Sequence, residues 1–399
     1  MCPKRLITVA VVVLLHSTLF AQLREYRSYN YDVFTDLPVR QAKELSSYMD
    51  GVYGEYARRF SGFGVTRAER VRLYLFDRRE TYIAFMGEQG IDAANSGGMF
   101  FVINGDAGLA TFVTDQQPAQ MLHTLQHEGL HQFMYQRVGS GLPIWANEGL
   151  AEYFGSAIPV RGRLRLGQFS QQSVDAIRDV VSSGDWIRFE EMLELTNQEW
   201  SRRLAGGDNR TGVMYLQAWS MAHFLVHGAD GQYSPMFERF LHEIKNGLGP
   251  KDAFVRAFGT DDFARFEQAW VSFVLENLEP DPISTAAERV EFMAAGLEAL
   301  HEQGVAPETV NELRAELIDR GFRIVTGTHG AIRVLLAEDQ TMYQPPVPAR
   351  QRRHPPTVEL IASRSERLPP GIEVRGLEVD LVLRWRLDGD RLVHDIVYK

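Results

Sequence analysis

The chain is nearly devoid of cysteine: Cys2 is the single one in 399 residues. That excludes a disulfide framework and leaves no thiolate for metal binding or nucleophilic chemistry past the start of the chain. Positive charge is also in deficit, with 42 Lys and Arg against 52 Asp and Glu and a formal net charge of −10. Such a balance argues against nucleic-acid backbone or an anionic membrane surface as a partner. Long apolar runs are missing but for Leu6–Leu15, which follows Lys4 and Arg5 and is too short for a comfortable membrane span. With Ala21 before the cut, residues 1–21 read as a signal peptide, and the protein as exported, either periplasmic or secreted. Leu19 fits poorly at the third position back, so an uncleaved N-terminal anchor is the alternative. There is no internal repeat and no nucleotide-binding glycine motif. Ser170, Ser173 and Ser220 lack the glycines of a nucleophile elbow, which removes support for a serine hydrolase.

What is present is an ordinary globular composition, 45% hydrophobic and 24% charged, with length for two or three domains. Its chemistry concentrates in His127-Glu128-Gly129-Leu130-His131. On a helix, His127 and His131 project from one face a turn apart, so both imidazoles can reach one metal ion. Glu128 points to the flank of that face, where it can take a proton from a metal-bound water without being a ligand. Pro118 suits a first helical turn, and Met121, Leu122, Leu125, Leu130, Phe133 and Met134 recur at close to helical spacing through Arg137. Gly139-Ser140-Gly141-Leu142-Pro143 then breaks the chain. A second helix from Ile144 carries Glu148 and Glu152 four apart on one face. A catalytic zinc takes three protein ligands and leaves a position for water, and His127, His131 and Glu148 complete that set. Glu152 is placed to accept from the far nitrogen of a ligand histidine.

HEGLH followed by WANEGLAEYF resembles the gluzincin zinc metallopeptidases, the thermolysin-like and aminopeptidase-like clan, and in particular the peptidase MA-like exported bacterial proteins. The resemblance implies one Zn2+ on His127, His131 and Glu148, with Glu128 as general base and Glu152 behind the ligands. It also implies that Tyr215, opening the helix Tyr215–His227, supports the oxyanion; the alternative is a tyrosine packed beside Trp219. The interval from His131 to Glu148 is shorter than in the aminopeptidases. Their Gly-x-Met-Glu-Asn signature is absent, and Gly97-Gly98-Met99-Phe100 stands in its place. Gly98, Met99 and Phe100 are thus candidates for an edge strand that pairs with a peptide, or Gly97 and Gly98 simply serve a turn. His123, four before His127, is a group behind the ligands, a fourth metal contact, or a histidine satisfied on the helix flank. His223 and His227 repeat the spacing without a glutamate between them; His223 is a further candidate oxyanion donor.

The remaining pattern predicts an α+β chain. Strands are expected at Tyr29–Phe34 and Val71–Phe76, a helix at Val39–Phe60, a short helix at Glu80–Met86, and a hairpin of Met99–Asn104 with Leu109–Val113. A small hairpin at Ile158–Phe169 precedes helices at Val174–Val181, Phe189–Leu195, Tyr215–His227, Pro235–Asn246, Pro250–Phe258 and Phe263–Asn277. After the linker Glu279-Pro280-Asp281-Pro282 come helices at Thr285–His301 and Pro307–Gly321 and strands at Phe322–Val325 and Ile332–Ala337. A proline- and arginine-rich connector, Pro345 to Arg353, leads to a hairpin of Val379–Leu387 and Arg391–Tyr398 around Asp388-Gly389. By resemblance this is a thermolysin-like zincin catalytic domain, a small mixed sheet with its active-site helix and then a helical lobe, with a small C-terminal α/β domain. The expected divisions are 22–115, 116–280 and 281–399. The expected function is a zinc-dependent peptidase acting on a peptide or protein. A binding or scaffold protein with a structural or vestigial zinc site is the second reading.

Overall fold

The computed structural model describes residues 23–64, 70–114, 116–160, 163–205, 210–328, 331–348, 354–363 and 365–399. The expected leader (residues 1–21), residues 206–209, and Arg350, Arg352 and Arg353 of the expected connector lie outside these. Among the described residues the chain is mixed α+β, with thirteen helices and several small sheets.

The first part builds a five-stranded sheet from β1 (Arg24–Arg27), β2 (Tyr31–Thr35), β3 (Val71–Phe76), β4 (Gly98–Ile103) and β5 (Asp106–Phe112). Its order is β1-β2-β3-β5-β4. The three inner strands are parallel, and β1 and β4 close the two edges antiparallel. Helices α1 (Val39–Arg59) and α2 (Arg79–Glu88) make the crossovers that parallel neighbours require. Strand alternation puts Tyr31, Val33, Val71, Leu73 and Leu75 into the core. Leu45, Met49, Val52 and Tyr56, at three- and four-residue spacing on α1, join the same cluster. Strands β4 and β5 meet at Asn104 and Gly105, both with positive φ (52° and 88°), the conformation the Asn-Gly pair suggests.

Helix α3 (Pro118–Arg137) follows, then α4 (Ile144–Gly155), the short hairpin β6 (Ile158–Val160) with β7 (Arg163–Arg165), and seven helices. These are α5 (Gln171–Ser183), α6 (Phe189–Glu194), α7 (Asn197–Ala205), α8 (Arg210–His227), α9 (Ser234–Lys245), α10 (Pro250–Phe258) and α11 (Phe263–Ser272), the last running into a π-helical turn at Phe273–Asn277. One apolar cluster runs from Tyr31 to Leu278 and includes the fully buried Trp145, Trp219 and Trp270.

The cluster changes after Leu278. A second one takes in Ile158 of β6 and then runs from Ile283 in α12 (Pro282–Glu302), whose start is capped by Asp281 accepting from the N–H groups of Ile283 and Ser284. Helix α13 (Val310–Asp319), the hairpin β8 (Arg323–Thr328) with β9 (Ala331–Leu336), and the strands β10 (Thr357–Ile361), β11 (Gly371–Arg375), β12 (Leu381–Asp388) and β13 (Arg391–Tyr398) complete the chain. The last four form an antiparallel sheet in chain order. Elements β1, α7, β10 and β11 are absent from the sequence reading. No helix of the described residues is long and apolar enough to cross a membrane.

Candidate metal centre

Helix α3 lies in the main core through Met121, Leu125, Leu130, Phe133 and Met134. Its Gly129 is needed for that placement. A Cβ there would sit 2.9 Å from Met49 Cε and 3.3 Å from Tyr56 Oη, so α1 lies close against the helix midway between the two histidines. After the break at Gly139 (φ 98°), α4 returns across α3. Its path depends on Gly149, where a Cβ would meet the Ala218 carbonyl oxygen at 2.2 Å. The α4 and α8 backbones therefore touch beside Glu148. At the far end, Gln126 Nε2 donates to the carbonyls of Gly155 and Ala157 at 3.2 and 3.3 Å, fastening the end of α4 to α3.

This crossing brings three donors together. His127 Nε2 and His131 Nε2 are 3.1 Å apart, and Glu148 Oε2 lies 3.5 Å from the first and 3.6 Å from the second. A tetrahedral ion with donors at about 2.0–2.2 Å sets them about 3.3–3.6 Å apart, so the residues present fit one nitrogen- and oxygen-bound ion such as zinc. No other group of three or more His, Cys, Asp or Glu side chains with this property occurs among the described residues. His131 and Glu148 are buried. Burial opposes charge on each imidazole, but Glu148, joined at His127 by Glu152, outweighs it and holds both above the ordinary histidine value. Burial likewise opposes the Glu148 carboxylate, and the charge of His131 followed by hydrogen bonds from both imidazoles takes it down to about 2. The cluster is thus built for positive charge at its centre.

Around this core the other candidates take distinct places. Glu152 Oε1 lies 3.3 Å from His127 Nδ1 and its Oε2 lies 3.6 Å from His123 Nε2, so one carboxylate spans two imidazoles of α3. His123 is the outer of the two, 41% exposed at its side chain. Glu128 Oε2 accepts the backbone N–H of Phe100 at 2.8 Å, which joins α3 to edge strand β4. Gly98 is buried under α3, where a Cβ would meet Thr124 Cγ2 at 2.7 Å, and its N–H and carbonyl both bond to the Ser96 hydroxyl. Met99 packs on the small cluster of Phe76, Tyr82 and Phe112. Of the three strand candidates, Phe100 alone is tied directly to the metal helix through a catalytic candidate, and its ring also lies 5.7 Å from that of Tyr135, one turn beyond His131.

Tyr215 sits early in α8, with its ring edge-on to Trp200 of α7 at 5.2 Å. Burial raises its phenol above the usual value, and Glu148, Glu152 and Glu128 raise it further, which puts the hydroxyl within the field of all three site carboxylates. Its ring partner is therefore Trp200; the alternative neighbour, Trp219, stacks edge-on with Phe169 instead. His223 lies elsewhere, among the rings of Tyr153, Phe169 and Phe273, and His227 accepts or donates to Tyr153 Oη at 2.9 Å. Those two histidines form a separate pair, His223 half-buried and His227 exposed. Trp200, Tyr135 and Gln126 escaped the sequence reading. Tyr135 alone carried a usable signal, since it continues the i, i+4 series of His127 and His131.

A family model described as "Protein of unknown function (DUF1570)" matches residues 121–241. That span holds every ligand candidate together with Glu128, Glu152 and Tyr215. No curated protein matches the chain.

Proposed function

We propose that this chain is an exported, zinc-dependent peptidase on a thermolysin-like zincin scaffold, with His127, His131 and Glu148 as the metal ligands. The reading rests chiefly on one observation: three donors 3.1–3.6 Å apart, with a non-ligand glutamate next in sequence to one of them. A structural site has no use for an acid there. When bound, the ion supplies Lewis acidity and water activated at neutral pH. Glu128 takes the proton of the attacking water and returns it to the leaving amine. Its carboxylate is held for this by the Phe100 N–H. The Tyr215 hydroxyl, kept protonated by burial and the surrounding carboxylates, donates to the developing oxyanion. Glu152 fixes the ring orientation of His127. Edge strand β4, which among the described residues pairs only with β5, offers an extended peptide a main-chain partner beside Glu128.

The test is a chelator-sensitive screen of purified protein against a peptide library, with bound metal quantified in the same preparation. Zinc near one per chain, with hydrolysis lost on chelation and restored by zinc, is the expected result. His131→Ala should lose metal and turnover together. Zinc bound with no peptide cleaved would favour the scaffold reading, in which the same ligands serve a structural or vestigial site.

A further inference from the structure

Between the metal helix and the C-terminal sheet lies a cavity of about 220 Å³. Its walls come from α1, the first turns of α3, the Gly155–Pro159 segment, α12 and β13. Three buried polar groups of the wall have no hydrogen-bond partner among the described residues: the Tyr48 hydroxyl, Gln126 Oε1 and Nδ1 of His394. His394 is 5% exposed, and its Nε2 lies 2.6 Å from Glu291 Oε2.

The sheet adds main-chain groups. Strand β13 is an edge, and the Lys399 N–H bonds to the Asp380 carbonyl. In that register the odd-numbered residues bond to β12. His394, Ile396 and Tyr398 therefore turn their N–H and carbonyl groups to the free edge, and all three line the cavity. Buried polar groups without partners carry a desolvation cost that a ligand would relieve.

Charge selects the ligand's sign. Among the described residues no lysine or arginine lines the cavity, whereas Glu291 and Asp395 do; Asp395 is paired with Arg386 at 3.5 Å, which leaves Glu291 as the acid that sets the sign. The first turn of α3 brings only a partial positive charge, and Pro118 has no N–H to donate. The aromatic rings of Tyr48 and Tyr398, both in the lining, are compatible with a cation. Burial and then Glu291 raise the Tyr398 phenol, consistent with a carboxylate close at hand. Leu122 and Ile158 add apolar surface to the lining.

We propose that this cavity binds a small primary ammonium compound with an apolar body, the ammonium held by Glu291 and the Tyr48 hydroxyl and the body seated on Leu122 and Ile158. The site is independent of the metal reading, although His123 belongs to both its wall and the Glu152 pair.

The experiment is calorimetric titration of the full chain with benzylammonium, benzyl alcohol and benzoate, with chelator present so that a metal cannot contribute. Benzylammonium should bind with a Kd of about 1 mM, as suits so small a ligand. The alcohol and the carboxylate should bind at least about tenfold more weakly. Glu291→Gln should weaken the ammonium about tenfold or more. Because that change also breaks the His394 pair, Ala119→Trp at the exposed mouth serves as a second variant and should abolish binding. Equal binding of the three probes, preference for benzoate, no heat from the ammonium, or unchanged affinity in Ala119→Trp would each overturn the assignment.

Discussion

Phe100 donates its backbone N–H to Glu128 Oε2 at 2.8 Å, so edge strand β4 and helix α3 meet at the carboxylate on which the proposed chemistry turns. The bond fixes the side chain's rotamer and the distance between β4 and α3 together. Gln is isosteric at this position and keeps an acceptor for Phe100, so Glu128→Gln should fold and hold zinc. It should lose about 10²–10⁴ in kcat/KM, the usual share of a general base. Glu128→Asp keeps the charge on a shorter stem that cannot reach both Phe100 and the site, and should fall between. Metal content with steady-state kinetics decides this, and full activity in Glu128→Gln would sink the base assignment.

Glu152 spans His127 and His123, at 3.3 and 3.6 Å, and these distances rank the expected effects. Glu152→Gln removes the charge that orients a ligand ring and should cost about 10–100-fold in zinc affinity. His123→Ala touches the same carboxylate from the solvent side and should cost less, about threefold or under. Competition against a chromogenic chelator measures both. A His123→Ala loss as large as that of Glu152→Gln would mean that His123 contributes to the metal directly.

Much of this site was legible because it is local. His127, Glu128 and His131 share two helical turns, and Glu148 and Glu152 share one face of the next helix, so spacing alone carries their grouping. The hairpin of β4 and β5 was equally plain, since Asn104-Gly105 forces the chain to turn. Tyr215 was harder: its neighbour Trp200 sits on α7, whose run Asn197–Ala205 is mostly polar and shows no apolar stripe long enough to read. Strands β1 and β10 hid for a similar reason. Arg24–Arg27 and Thr357–Ile361 lie at sheet edges, exposed on much of their length, and burial is what writes alternation into a strand. Contacts such as Phe100 with Glu128 depend on how a sheet edge meets a helix, which no short-range pattern encodes.

Glycine positions separate backbone contact from helix propensity. At Gly149 a Cβ would meet the Ala218 carbonyl at 2.2 Å, and neither backbone can yield without moving α4 away from α8. Gly149→Ala should therefore destabilise by about 3 kcal/mol or more and weaken zinc binding through Glu148. Gly54, exposed in α1, has nothing within 4 Å of such a Cβ. Gly54→Ala should stabilise by about 0.5–1 kcal/mol, the helix preference for Ala over Gly. Thermal or denaturant unfolding of the two variants should move in opposite directions. Equal shifts would show that the α4–α8 contact is not as close as the geometry requires.

His223 makes part of the protein's stability depend on pH, and the sign follows from its surroundings. Burial among Tyr153, Phe169 and Phe273, reinforced by repulsion from His227, lowers it to about 3 from an ordinary 6.5. The folded protein thus binds fewer protons than the unfolded chain between those two values. Its contribution is fully present above pH 6.5 and is lost as the pH falls towards 3, amounting to about 2 kcal/mol at pH 5. His223→Phe keeps a ring among rings and cannot titrate. Whatever its stability at pH 7, its unfolding free energy should fall less than the wild type's between pH 7 and pH 5, by about that amount. His227 is lowered too, by burial and then Arg59, but it is present in both proteins, so the difference isolates His223. Parallel curves over this range would mean that His223 is already reached by water, or charged, in the folded state.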